Sequence, residues 1–293
     1  MSEPYAQMLT PAFRARLERL QLAVRRSLPS TMRGDRRSLL RKGASLEFAD
    51  FRPYIEGDDV RFLDWAAYAR LDHLIMKLYH DEEDLQVHLL VDDSASMLPD
   101  KALFARQVAA GLGWIALRGG ARVSAALLGE QIDRQPALRG VAAGERLLQF
   151  LSRPSGGGKQ PLHLGCEKYA NLARPWGLVL VVTDLLDPAG AAGVLNALQR
   201  RTTELSVLQV LSPQDLDPDF EGDLRLKDAE EAPSVDISLS PARIEAYRRT
   251  VRGYVAQCAE LCLRRGAAFI QASSARSLED FFVLDLARAR IVR

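Results

Sequence analysis

The most informative stretch of the chain is Leu85-Gln86-Val87-His88-Leu89-Leu90-Val91-Asp92-Asp93-Ser94-Ala95-Ser96-Met97. Its apolar half predicts a buried strand, its carboxylates and hydroxyls predict a loop, and the amphipathic segment from Lys101 onward predicts a helix. In an open α/β sheet, ligands bind at the loop that leaves the carboxyl end of a strand, because the next helix points its amide groups there. We therefore expect a functional site directly after Val91.

Asp92, Ser94 and Ser96 form the pattern Asp-x-Ser-x-Ser within this loop. Alternate residues of an extended loop face the same way, so their oxygen atoms can converge on one hard cation such as Mg²⁺, while Asp93 points elsewhere. The simpler interpretation is that Asp92 only caps the helix that starts near Pro99. The two hydroxyls in register with Asp92 favour a site.

Beyond this loop, predicted strands and helices alternate along the chain. The predicted strands cover residues 121–128, 178–182, 205–211 and 268–272, with a short edge strand at 131–138. The predicted helices cover residues 101–117, 144–151, 162–172, 187–200, 241–265 and 278–290. This alternation indicates a doubly wound α/β fold, with a mainly parallel sheet and helices on both faces. A small hairpin is also expected between residues 215 and 240.

Residues 1–84 have a different pattern and are expected to form an extension packed on a main domain of residues 85–293. Two amphipathic helices are predicted in this extension, at residues 12–28 and 60–69. Gly57-Asp58-Asp59 has the turn chemistry to cap the second helix.

Two neighbouring strands are predicted where the extension joins the main domain. They cover residues 74–79 and 85–91 and are separated by the acidic turn 81–84. The short turn predicts that they pair as a hairpin leading into the central loop.

The extension also contains a cluster of aromatic and charged residues around Tyr54 and Trp65. One interpretation is a small core, in which Arg52, Asp58 and Asp64 are held as ion pairs. The other is an exposed surface for a partner protein. The sequence leaves both open.

Composition limits the classes of function. The chain of 293 residues is 47% hydrophobic, enough for a globular core, and its net charge of +1 argues against strong global attraction to nucleic acid or an anionic membrane. Three cysteines are too few and odd in number for a disulfide framework. Without a signal-peptide pattern or an apolar run long enough for a membrane helix, we expect a cytoplasmic protein that does not enter a membrane.

Two further loops are expected to meet the first at the same edge of the sheet. They are the glycine-rich segment 155–160 and Thr183-Asp184, which follows the apolar strand 178–182. Together with the Asp-x-Ser-x-Ser pattern, they resemble the metal-ion-dependent adhesion site of von Willebrand factor A-type domains. This resemblance extends from about Leu85 to the C-terminus.

The resemblance implies a role for specific residues. Asp92, Ser94, Ser96 and Asp184 would hold or surround a divalent cation, with Mg²⁺ as the expected ion. The position of the family's threonine ligand falls on Lys159, which cannot ligate a cation while it is protonated. Lys159 would therefore either weaken cation binding or replace the ion.

A second resemblance covers the N-terminal extension. Segments 45–54, 57–59, 64–65 and 67–70 resemble the signature of the domain of unknown function 58 family. This family implies an adhesion-type domain with an N-terminal extension and, in bacteria, association with a MoxR-type AAA+ ATPase.

These observations favour a non-enzymatic adaptor, in which an acidic side chain of a protein partner completes the coordination of the cation. Arg52, Asp58, Asp64 and Trp65 are candidates for a second partner contact. The alternative is a magnesium-dependent phosphate-ester hydrolase, with Lys159 or Arg52 against the phosphate and Asp93 as the candidate base or nucleophile. Because no histidine or glutamate lies in the three loops, catalysis ranks below binding.

A nucleic-acid contact at the basic segment 33–42 is a third alternative. Its simpler interpretation is a solvated loop, since a short basic cluster in a nearly neutral chain is common. Nucleic acid is therefore not an expected partner.

Overall fold

The computed structural model describes a defined part of the chain. The described residues are 8–23, 47–56, 58, 60, 63–80, 85–97, 100–154, 156–173, 177–218, 222–226 and 235–293. They belong to two compact units, a large unit of Met1–Arg26 with Leu85–Arg293 and a small unit of Ser27–Asp84. The predicted basic segment 33–42 and the acidic turn 81–84 lie outside the described residues.

Helices and strands alternate through the large unit as expected. The helices are α1 (Pro11–Leu17), α2 (Trp65–Leu71), α3 (Asp100–Arg118), α4 (Gly144–Leu151), α5 (Leu162–Ala173), α6 (Gly190–Leu198), α7 (Pro213–Leu216), α8 (Pro241–Arg264), α9 (Leu278–Asp280) and α10 (Leu286–Arg288). The strands are β1 (Glu47–Pro53), β2 (Ile75–His80), β3 (Gln86–Asp92), β4 (Arg122–Leu128), β5 (Ile132–Arg139), β6 (Leu178–Thr183), β7 (Glu204–Leu211), β8 (Gly222–Leu226), β9 (Val235–Leu239) and β10 (Ala268–Ser273). Within the described part of the chain, no helix combines the length and apolar character needed to cross a membrane.

The large unit is built on a mainly parallel sheet. Among the described residues, six strands form it in the order β10-β7-β6-β3-β4-β5, and only β5 runs antiparallel to its neighbour. Its central strand β3 is buried on both faces: Leu89 and Val91 face one apolar core, and Leu90 faces the other. The predicted doubly wound α/β fold is therefore confirmed, and it is consistent with a von Willebrand factor A-like fold.

Helix α3 lies close against the central strand. A Cβ atom at Gly113 would come within 2.8 Å of Leu89 and 2.4 Å of Leu147, so only glycine permits this approach without displacing a neighbour. The contact fixes α3 relative to β3. It therefore fixes the first turn of α3, which contains Lys101, relative to the loop after β3.

The predicted hairpin between residues 74–79 and 85–91 is wrong. Strand β2 pairs antiparallel with β1, whereas β3 pairs in parallel with β4 on one side and β6 on the other. Two parallel neighbours occupy both edges of β3, so it has no edge left for β2.

The first described segment, residues 8–23, belongs to the large unit rather than to a separate extension. Phe13 and Leu17 are buried in the same core as β3, and Leu22 forms an antiparallel bridge with Val292. Helix α1 ends at Leu17, earlier than the predicted helix 12–28. Only residues 27–84 form the small unit.

The small unit contains the antiparallel pair β1 and β2 and helix α2. The predicted helix 60–69 is wrong in its start and its cap. Asp64 caps α2, since its carboxylate accepts hydrogen bonds from the backbone N–H groups of Ala66 and Ala67. Asp58 instead binds a guanidinium.

The polar stretch after β7 and the end of the chain need smaller corrections. The expected hairpin between residues 215 and 240 is confirmed as the antiparallel pair β8 and β9. The last predicted helix, 278–290, is interrupted by a π-helical turn at Phe281–Asp285.

Candidate functional site

Asp92 is the last residue of β3 and is 3% exposed. Its Oδ1 accepts a hydrogen bond from the backbone N–H of Ser94 at 3.0 Å, and its Oδ2 accepts one from the Thr183 hydroxyl at 2.7 Å. Among the described residues, no basic side chain pairs with it. Burial and the negative charge of Asp184 raise the pKa of Asp92 above its usual value, although the hydrogen bonds from Thr183 and Ser94 oppose this.

The hydroxyls of Ser94 and Ser96 lie 3.0 Å apart, at the start of the turn that leads to α3. The backbone of Ser94 bridges to Gly158, and Ala95 N–H donates to the Gly158 carbonyl at 3.0 Å. A Cβ atom at Gly158 would lie 2.0 Å from the Glu130 backbone nitrogen, so this approach requires glycine. The glycine-rich segment and the Asp-x-Ser-x-Ser loop therefore meet, as the sequence predicts.

Asp184 directly follows β6 and is 1% exposed. Its Oδ1 accepts a hydrogen bond from Leu186 N–H at 2.9 Å, and its Oδ2 lies 2.8 Å from Lys101 Nζ. Since β3 and β6 are parallel neighbours, Asp92 and Asp184 lie at the same edge of the sheet. The negative charge of Asp184 contributes to the raised pKa of Asp92, so the two carboxylates lie close enough to interact.

Lys101, in the first turn of α3, is a site residue that the sequence analysis missed. Its side chain is 7% exposed, and its Nζ lies 2.8 Å from Asp184 Oδ2 and 3.0 Å from Asp215 Oδ2. Burial disfavours the charged ammonium, but the charges and hydrogen bonds of both carboxylates outweigh this, so the pKa of Lys101 is raised. One ammonium thus links the loops after β3, β6 and β7.

Lys159 does not have the role that the sequence suggested. It is exposed, its backbone N–H donates to Glu130 Oε2 at 3.2 Å, and its side chain forms no ion pair with a described residue. The lysine that neutralises Asp184 is Lys101. No sequence spacing could have shown this, because the pair depends on how α3 lies across the sheet.

Asp93 points away from this pair, as expected. Its Oδ1 lies 2.6 Å from Arg106 Nη2, and its Oδ2 accepts a hydrogen bond from Gly156 N–H at 2.9 Å. Arg106 is fully buried and also donates to the carbonyls of Leu151 and Arg153. This pair fixes the glycine-rich segment against the Asp-x-Ser-x-Ser loop.

A small cavity of about 20 Å³ lies beside the two carboxylates. Its lining includes Asp92, Ser94, Gln160, Pro161, Leu162, Asp184, Leu186, Asp187 and Pro188. This volume is enough for one water molecule or one small cation. The described residues contain no group of three or more His, Cys, Asp or Glu side chains that could hold a metal ion, so a cation here would also need the serine hydroxyls.

The donor set fits a hard divalent cation in two respects. Carboxylates and hydroxyls are oxygen ligands, which Mg²⁺ and Mn²⁺ prefer. Asp92 is also a buried carboxylate without a basic partner in the described structure. The ammonium of Lys101 is the one feature that opposes a cation, since it already neutralises Asp184.

The candidate partner residues of the small unit have separate roles. Arg52 binds Asp58 through two hydrogen bonds of 2.7 Å, and these bonds lower the pKa of Asp58 to about 2. Asp64 caps α2. Trp65 is 61% exposed and packs edge-on against the half-exposed Tyr68, so the small-core interpretation is wrong for these two rings.

Comparison with known proteins identifies the family. A family described as "Protein of unknown function DUF58" matches residues 50–256. An uncharacterised protein of Mycobacterium tuberculosis is 28% identical over 269 residues, which cover 89% of this chain and 84% of that protein.

Solved structures give lower similarity. The conserved hypothetical protein BatB from Bacteroides thetaiotaomicron is 15% identical with a TM-score of 0.39, and the match covers 70% of this chain and 98% of that one. An aerotolerance-related membrane protein from Bacteroides fragilis has the same identity and TM-score over 70% and 99% of the two chains. The fold assignment rests on the sheet order and register described above. Because the family match covers more than half of the sequence, this chain belongs to the DUF58 family of proteins of unknown function.

Proposed function

We propose that the large unit is a non-enzymatic interaction module that binds a partner protein through a divalent cation at the edge of its sheet. Ser94 and Ser96, together with Asp92 and Asp184, would hold the cation, most simply Mg²⁺. When bound, the cation would supply positive charge to an acidic side chain of the partner. The observation that carries the proposal is the buried carboxylate of Asp92, which borders a cavity and has no basic partner among the described residues.

The energetic cost of this arrangement supports a binding role. A buried ionised carboxylate costs several kcal/mol unless its charge is compensated. Thr183 and Ser94 supply two hydrogen bonds to Asp92, yet its pKa remains raised. Strongly perturbed carboxylates of this kind concentrate at functional sites.

The proposed partner is a MoxR-type AAA+ ATPase, which the family resemblance implies. In this proposal the chain is an adaptor that connects the ATPase to a client during protein maturation or complex remodelling. The exposed Trp65 of the small unit is the candidate for a second contact with a partner.

The hydrolase alternative has weaker support. A metal-dependent hydrolase needs a base or nucleophile near the cation. Asp93 is the candidate within the central loop, but Arg106 and the Gly156 N–H already bind its two oxygens. We therefore retain hydrolysis only as an outcome that the following experiment would reveal.

The test measures binding of the purified chain to a MoxR-type ATPase of the same organism, by biolayer interferometry, with Mg²⁺ and with EDTA. We expect EDTA, Asp92→Asn and Ser94→Ala to weaken binding by at least about ten-fold, because each removes a ligand or the ion. Asp133→Asn and Ser152→Ala are matched controls on the surface of the same unit and should bind as the wild type does.

Binding that is unchanged by EDTA and by Asp92→Asn would contradict the proposed cation-dependent contact. A parallel assay with a generic phosphate ester and Mg²⁺ tests the alternative. Turnover that Asp92→Asn abolishes and Asp133→Asn retains would show a hydrolase instead.

A further inference from the structure

Lys101 places a positive charge at the oxygen of Asp184 that a divalent cation would need. The Nζ–Oδ2 distance is 2.8 Å, and both side chains are almost fully buried, at 7% and 2% exposure. The other oxygen of Asp184 accepts the Leu186 N–H. Asp184 therefore has both of its oxygens engaged as long as Lys101 stays in place.

A divalent cation and the ammonium cannot share this site without cost. Two like charges a few ångströms apart repel strongly, and the repulsion is larger in a buried site than in water. Cation binding therefore requires that the ammonium move away from Asp184. The energy of that movement depends on what the ammonium can contact afterwards.

Asp215 provides that contact. It lies in α7, after β7, and its Oδ2 is 3.0 Å from the same Nζ. The side chain of Asp215 is 29% exposed, whereas that of Asp184 is 2% exposed. The backbone N–H of Ser212 also donates to Asp215 Oδ2 at 2.8 Å, which fixes this carboxylate in place. Lys101 can thus leave Asp184 without becoming an unpaired buried charge.

We propose that Lys101 is a built-in counter-ion of the site, which a divalent cation displaces from Asp184 towards Asp215. Lys101 thereby sets the cation affinity of the site, and Asp215 sets the cost of the displacement. This inference rests on the proposed cation-dependent function. It makes the movement of Lys101 the step that links an occupied site to the loop after β7.

The experiment is calorimetric titration of MnCl₂ into the full chain and its variants. We expect Lys101→Met to bind Mn²⁺ at least about ten-fold more tightly than the wild type, because the competing charge is gone. Asp215→Asn should bind several-fold more weakly, because the ammonium then keeps Asp184 as its one carboxylate. The matched controls are Lys159→Met, an exposed lysine on a neighbouring loop, and Asp217→Asn, an exposed carboxylate paired with Arg248.

The controls should stay within about two-fold of the wild type, as expected for exposed charges. Circular dichroism verifies that each variant is folded. If Lys101→Met does not fold, Lys101→Gln keeps a hydrogen-bond donor for Asp184 without the charge and should show the same direction. If neither folds, the Asp215→Asn titration tests the inference by itself.

Two different failures can be distinguished. If Mn²⁺ binds and Asp92→Asn abolishes binding, but Lys101→Met binds no more tightly than the wild type, the inference about Lys101 is wrong and the proposed cation site stands. Asp215→Asn binding as tightly as the wild type, or more tightly, likewise overturns the inference. If neither the wild type nor Lys101→Met shows Mn²⁺ binding that depends on Asp92, the cation site and the inference fail together.

Discussion

Replacing Arg106 with methionine tests how the site is held together. The guanidinium is fully buried, lies 2.6 Å from Asp93 Oδ1 and donates to the Leu151 carbonyl at 3.1 Å. Removing one member of a buried ion pair costs about 3–5 kcal/mol, since it leaves the other charge buried and unpaired. Each lost hydrogen bond to a carbonyl adds about 1 kcal/mol. We therefore expect Arg106→Met to lower the free energy of unfolding by about 4–6 kcal/mol.

The measurement is urea denaturation followed by tryptophan fluorescence, for the wild type, Arg106→Met, Asp93→Asn and the double variant. Asp93→Asn keeps an oxygen that can accept the Gly156 N–H. With both charges removed, the double variant should be at least about 2 kcal/mol more stable than the sum of the single effects predicts. A cost below about 1 kcal/mol for Arg106→Met, or strictly additive effects, would refute this explanation of the contact between the two loops.

Further predictions concern single buried or capping groups. Burial lowers the pKa of His88 to about 4, so its contribution to stability is complete above the unfolded value of 6.5 and is lost as the pH falls from 6.5 to 4, by up to about 3 kcal/mol. His88→Leu should remove this part of the pH dependence in urea titrations at pH 4 to 7, and an unchanged dependence would contradict it. Thr183→Val removes the 2.7 Å hydrogen bond to Asp92 and should cost about 1–3 kcal/mol in the same assay, whereas no loss would show that the bond is not needed. Asp64→Ala should destabilise α2 by about 1 kcal/mol, seen as faster amide exchange at Ala66 and Ala67, and unchanged exchange would argue against the cap.

The sequence was sufficient to predict the architecture of the large unit and the meeting of its loops. Fully apolar strands such as β6 require cover on both faces, and strands that alternate with helices form a parallel sheet. In such a sheet the carboxyl ends of neighbouring strands lie at one edge. Asp92 and Asp184 therefore lie at the same edge, as predicted, although they are separated by more than ninety residues in the chain.

The failed predictions share one physical cause, which is that local sequence does not specify long-range pairing. The short turn before β3 favoured a hairpin, but the energy of placing β3 at the centre of the sheet determines its partners. The same holds for Lys159 and Lys101. Motif spacing pointed to Lys159, whereas the packing of α3 on β3 brings the Lys101 ammonium to Asp184.

The chemistry of the small unit was predicted only in part. A dense run of aromatic residues usually packs inward, yet Trp65 is largely exposed. Arg52 and Asp58 form the ion pair that their types suggest, and Asp64 uses its carboxylate as a helix cap. Which acidic residue near a helix start becomes the cap depends on backbone geometry that residue types alone do not determine.

The most direct test of the proposed cation site is X-ray anomalous scattering from crystals of the full chain grown with MnCl₂. We predict an anomalous difference peak in the cavity bordered by Asp92, Ser94 and Asp184, which is absent from crystals of Asp92→Asn grown in the same way. A cavity without such a peak in the wild-type crystals, or a peak that Asp92→Asn leaves unchanged, would contradict a cation held by these residues.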